Sequence, residues 1–166
     1  MPARDLHWPA ELHPATAPVF THNEIYIPAD ADRVWAQLVR AAHWPERFAQ
    51  CADLRFEDDD DGPDLGAQAE FSWRSFGSRI TATVSEFEPP YRLAWYSSTK
   101  GTHAYHGWVI DPVDDGCRVI TQVSQSGFLP SVGRLLFRRL LRRSNHRWLL
   151  RLAEAIGEAD RELIES

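Results

Sequence analysis

Residues 79–111 read RITATVSEFEPPYRLAWYSSTKGTHAYHGWVID, and their pattern decides the fold. Ile80, Ala82 and Val84 alternate with polar neighbours; Leu93, Trp95 and Ser97 share one face of the next run, and His106, Trp108 and Ile110 one face of the third. A period of two marks a strand with one buried face. Pro89-Pro90 and Lys100-Gly101 separate the three runs. Neither break leaves room for a crossover helix, so the strands must run antiparallel. Working outward, segments near 51–57, 67–76 and 117–126 have the same period, bounded by Asp61-Gly62-Pro63, Phe76-Gly77 and Asp114-Asp115-Gly116. Upstream, 23–27 reads as a short strand ended by Pro28, and Asp30 as the N-cap of a helix carrying Val34, Trp35, Leu38 and Val39. Pro45 reads as an interruption of that helix, with 46–50 as a second short turn. After Gly127 and Pro130 the period becomes helical. Phe137, Leu141, Trp148, Leu152 and Ile156 form one broad face, and Arg139, Arg143, Arg147 and Arg151 another stripe. The order predicts an α+β protein: a seven-stranded antiparallel sheet wrapped around a long C-terminal helix near 131–160, since each has an apolar face to bury.

Composition narrows the functional classes. A chain of 166 residues, 43% hydrophobic and 25% charged, has the size and balance of one globular domain with a full core. Its formal net charge of −6 argues against nucleic acid as the main partner. The two cysteines, Cys51 and Cys117, are too few for a disulfide framework and read as buried free thiols of a cytoplasmic protein. Residues 1–20 contain four prolines and no apolar signal region. This segment reads as an extension laid over the surface or loose, with few apolar groups to bury and little weight in stability, ahead of a single domain over 21–163. The aromatic count is unusual: seven Trp, eight Phe and four Tyr are enough to line a pocket as well as a core.

Several motifs resemble one superfamily when taken in order. They are Ile25-Tyr26-Ile27-Pro28-Ala29 leading into Val34-Trp35, His43-Trp44-Pro45-Glu46-Arg47-Phe48, the run from Glu86 to Trp95, His106-x-Trp108-x-Ile110-x-Pro112, and Gly116-Cys117-Arg118-Val119. Over residues 22–160 the chain resembles the START-like (SRPBCC) superfamily, and within it the polyketide cyclase/dehydrase-like branch. The resemblance implies a helix-grip: a curved sheet holding the long helix, with a cavity between them. It implies as ligand a lipid, hormone or polyketide, with cyclisation and dehydration in some members and no chemistry in others. No metal or organic cofactor is implied.

Strand parity then proposes the cavity lining. Phe71 and Trp73, Ile80 and Val84, Leu93 and Trp95, His106 and Trp108, and Thr121 and Gln125 fall on the faces expected to look into the grip, with Trp148 as a floor on the helix. His106 is the candidate catalytic residue, because an imidazole among aromatics can accept, donate or shuttle a proton near neutral pH. Burial among indoles should lower its pKa. His103 and His106 are three apart on a strand, face opposite sides and cannot share a metal. Glu57-x-Asp59-x-Asp61-Gly62 echoes a calcium loop but has Gln68 where the bidentate glutamate belongs, so no metal site is expected.

The expected activity is binding of a hydrophobic or aromatic small molecule, with cofactor-independent polyketide cyclase or dehydratase chemistry if the protein is an enzyme. One alternative is a non-catalytic carrier or sensor of lipids or hydrophobic metabolites, and another is a chaperone-associated interaction module. Neither nucleic acid nor stable membrane insertion is expected, and the chain reads as a monomer or homodimer. The arginine stripe reads as a solvated outer face paired with some of the 24 acidic residues, with contact to an anionic membrane surface or nucleic acid as the alternative.

Overall fold

The computed structural model describes residues 5–165, so residues 1–4 of the N-terminal extension lie outside the described residues. Strand β1 (Val19–Ile27) is followed by α1 (Ala31–Leu38), a turn at Ala41–His43 and α2 (Trp44–Arg47). Then come β2 (Ala52–Phe56), β3 (Glu70–Ser75), β4 (Ser78–Glu88), β5 (Arg92–Thr99), β6 (Thr102–Val113) and β7 (Gly116–Ser126). Two helices close the chain, α3 (Phe128–Val132) and α4 (Arg134–Glu165). The strands form one antiparallel sheet in the order β1-β7-β6-β5-β4-β3-β2. Strands β1 and β2 therefore sit on opposite edges, and α1 and α2 carry the chain from one to the other.

Local chemistry places these elements. The Asp30 carboxylate accepts the Arg33 backbone N–H at 2.9 Å, satisfying a free donor at the start of α1. The helix ends at Leu38, well before Pro45. Pro45 instead lies in the first turn of α2, where its missing N–H costs nothing, so it opens a helix rather than interrupting one. Strand β1 starts four residues earlier than the sequence predicts, because its whole length from Val19 to Ile27 pairs with β7. Gly133 separates the short α3 from α4.

One face of the sheet packs on the helices. Trp95, Trp108, Ile110 and Val119 are buried there with Val34 and Leu38 of α1 and Leu149, Leu152 and Ile156 of α4. Alternation along β4 holds through Val84, which pairs with Trp95. Ser85 is then an extra residue, and the register resumes with Glu86 opposite Ala94 and Phe87 opposite Leu93. This bulge sends Glu86 to the outer face and returns Phe87 to the inner one, where its ring meets Trp35 at 5.2 Å.

The outer face corrects the reading of the extension. Leu6 and Leu12 are buried against Ala94, Tyr105 and Val109, and Trp8 packs on Tyr105 at 5.4 Å and Phe20 at 5.9 Å. Gly107 makes room for this: a Cβ at that position would stand 2.1 Å from Leu6 Cδ1. The buried Glu86 carboxylate accepts the His7 backbone N–H and the Tyr105 hydroxyl, both at 2.7 Å, and lies 2.7 Å from Arg92 Nε. A proline-punctuated segment can still dock firmly when two leucines and a backbone donor find matching sites.

Candidate functional site

A cavity of about 730 Å³ lies between the inner face of the sheet and the first half of α4. Trp73, Ile80, Trp95, His106, Gln125 and Trp148 line it, six of the residues that parity proposes. Phe71, Val84, Leu93, Trp108 and Thr121 do not line it. They point to the same side but are fully or almost fully buried in the packed core. Parity assigns a face, not a position along the strand. At the far end of the grip, α1 and the second half of α4 fill the space over Leu93 and Trp108, and only the near end stays open.

His106 stands at the closed end of the opening. Its ring is 4.7 Å from Trp95, stacked on Trp108 at 5.2 Å, and edge-on to Trp148 at 5.4 Å. Burial among these rings strips water from the charged form and lowers its pKa to about 3, so the imidazole is neutral at pH 7. Nε2 shares a 2.7 Å hydrogen bond with Thr121 Oγ1. Thr121 is thus a partner behind the wall. His103, three residues earlier, lies on the outer face with Nδ1 3.0 Å from the Tyr96 hydroxyl.

The remaining wall is aromatic and neutral polar. Phe48 meets Trp148 at 4.6 Å, and Trp148 meets Trp44 at 5.2 Å. Trp44 also donates its Nε1–H to the Leu38 carbonyl, fixing the ring under the cavity. Asn145 donates to Thr21 Oγ1 at 3.2 Å, and Ser144 donates to Gln50 Oε1, tying α4 to the sheet edge and to the loop after α2. Gln125 Oε1 is buried in the wall and accepts no hydrogen bond from the described residues. Burial pushes the Cys51 thiol up to about 12, which removes a thiolate nucleophile from the wall.

Sequence reasoning missed Phe48, Asn145 and Phe137 on the wall. Phe48 and Phe137 carry an apolar signal, but helical periodicity cannot separate a cavity wall from core. The rim holds Arg47, Lys100, Arg147 and Arg151, and no lining residue among those described is acidic.

An open antiparallel sheet gripping one long helix, with an aromatic cavity between them, defines a helix-grip protein of the START-like superfamily. The chain belongs to the family described as polyketide cyclase / dehydrase and lipid transport, whose model matches residues 20–157. Among solved structures it is similar to a hypothetical protein from Helicobacter pylori, at 27% identity and a TM-score of 0.82, covering 91% of this chain and 95% of that one. It is similar in fold to a START superfamily protein from Mycobacterium smegmatis, at 10% identity and a TM-score of 0.68, covering 84% and 98%. It also resembles the di-domain ARO/CYC protein of the steffimycin biosynthetic pathway, at 19% identity and a TM-score of 0.67; the match covers 87% of this chain and 52% of that one. Comparison with curated proteins gives no match.

Proposed function

We propose that the cavity binds a hydrophobic or aromatic small molecule without covalent chemistry. The observation that carries this reading is the open 730 Å³ space itself, walled by Trp73, Trp95, Trp148 and Phe48. Indole faces offer flat apolar area, and neutral polar groups at His106 and Gln125 offer hydrogen bonds that orient a carbonyl or hydroxyl. An unfilled grip is what a ligand-binding protein needs and an interaction module does not.

A cyclase or dehydratase is the second reading, favoured by the family and by His106 on the wall. It asks His106 to act as general base. A pKa near 3 makes that imidazole a weak base at neutral pH, because acid–base catalysis is most effective when the pKa lies near the working pH. Binding is therefore the better supported role.

Native mass spectrometry of the protein expressed in its own host tests the proposal by weighing any co-purified ligand. With that ligand in hand, His106→Phe should weaken binding by about tenfold, the worth of one hydrogen bond, with no turnover to lose. A loss of turnover of about a hundredfold with binding retained would establish the enzyme instead. A protein that neither carries nor takes up any apolar molecule would overturn both.

A further inference from the structure

Charge is strongly segregated in this molecule. Between Phe128 and Arg151 the chain carries seven arginines and no aspartate or glutamate, in a protein of formal net charge −6. Of the four arginines of the stripe, only Arg151 has the expected acidic partner among the described residues. Arg138, Arg139, Arg142, Arg143 and Arg147 form no ion pair among the described residues, whereas further along the helix side Arg151 pairs with Glu154, Arg33 with Asp160 and Arg47 with Glu158. Arg138, Arg139, Arg142 and Arg143 share the outer face of α4 with Leu135 and Leu136, which are 83% and 61% exposed, and Arg147 stands at the cavity rim.

The same end of the molecule presents further exposed apolar side chains. Phe128 and Val132 project from α3 at 74% and 73% exposure. Across the cavity mouth, Phe76 is 76% exposed at the tip of the β3–β4 turn, with φ of +50°, a backbone conformation that bulky residues rarely adopt. Phe76, Leu129 and Leu140 rim the same opening as Lys100 and Arg147.

We propose that α3, the first half of α4 and the Phe76 turn form a face that docks reversibly on an anionic lipid bilayer, with the cavity mouth turned toward the membrane. Exposed leucine and phenylalanine among long cationic side chains is the composition of an interfacial helix: apolar groups enter the acyl boundary while guanidinium groups stay with the phosphates. A phosphate-bearing polymer would be met by the arginines alone and leave the leucines without a partner, so the bilayer fits both halves of the pattern. No described helix is long and apolar enough to cross a membrane, in keeping with docking on the surface. The proposal does not depend on what the cavity holds.

The test is sedimentation of the full chain with vesicles of phosphatidylcholine, alone or mixed with phosphatidylglycerol. The protein should sediment with the anionic vesicles only, and added salt should release it. Each arginine near an anionic surface is worth roughly fivefold, so R139E/R142E/R143E should weaken binding at least about a hundredfold, and R139Q/R142Q/R143Q by a smaller factor in the same direction. L135S/L136S should weaken it several-fold with the charge unchanged. These positions are exposed, and circular dichroism and the melting midpoint should match the parent protein. No sedimentation with anionic vesicles, or sedimentation indifferent to all three variants, would overturn the proposal. Binding that follows the arginines but ignores the leucines, and is competed by duplex DNA, would overturn it in favour of a polyanion site.

Discussion

Protonating His106 would place a charge between Trp95, Trp108 and Trp148, and this sets a pH dependence on the whole protein. Its pKa falls from an ordinary 6.5 to about 3 in the fold, so the unfolded chain takes up the proton first as pH drops. The stability it contributes is complete above pH 6.5 and is lost as pH falls from there toward 3. The slope is at most about 1.4 kcal/mol per pH unit for one proton. His106→Phe lacks the proton site, so urea-unfolding free energies plotted against pH should be flatter over that window than for the parent. Equal slopes would place the acid sensitivity on other groups. Glu86 works differently on the outer face, where Tyr105, His7 and Arg92 surround it. Desolvation first, and then the bond to Glu86, raise the Tyr105 pKa, keeping the phenol a donor at any physiological pH.

Among the elements, the N-terminal segment has the clearest energetic consequence. Leu12 is fully buried between the sheet and its own chain, and Leu6 fills the space over Gly107. Leu12→Ala should cost about 2–4 kcal/mol, the range for a buried leucine reduced to alanine. For a domain of this size each kcal/mol moves the melting midpoint by roughly 2–4 °C, so thermal unfolding should fall by about 5–15 °C. An unchanged midpoint would mean that the segment docks without stabilising the sheet. Helix α4 divides in two along its length. Its second half is core and ion pairs, while its first half is wall on one side and unpaired arginine on the other.

At the scale of the molecule, the cavity lies between the sheet and α4, so a bound ligand bridges the two layers. Ligand at a hundred times its Kd should add about 2.7 kcal/mol to stability, which reads as a midpoint raised by about 5–10 °C. Ala104→Phe projects a ring into the cavity from β6 and should abolish that shift while leaving the unliganded midpoint within a few degrees. If the ligand still stabilises the variant, its site is elsewhere. Closing the sheet pairs Val19 with Gln125 across most of the chain. Such distant pairings lose loop entropy before they gain contacts, so the sheet edge and the grip should form late in folding.

The order of β2 to β7 and most inward faces follow from the sequence alone, because both are written locally; the place of β1 beside β7 does not. Alternation at Trp73, Trp95 and His106, and breaks too short for a helix such as Pro89-Pro90, leave one antiparallel meander, and a helical period after Pro130 leaves one long helix to cover it. Only the tertiary structure decided where along those faces the packing stops. Trp108 and Leu93 share the inward side with His106 and Trp95, yet helices distant in sequence cover the first two and leave the second two at a cavity. The same holds for Ser85, whose bulge appears only when β4 pairs with β5, for Leu6 and Leu12, whose sites on the outer sheet are built by residues about 80 to 110 positions away, and for the arginines of the first half of α4, which form no ion pair among the described residues while Arg151 finds Glu154. Periodicity is a property of neighbours in sequence. A cavity, a bulge and an unpaired charge are properties of neighbours in space.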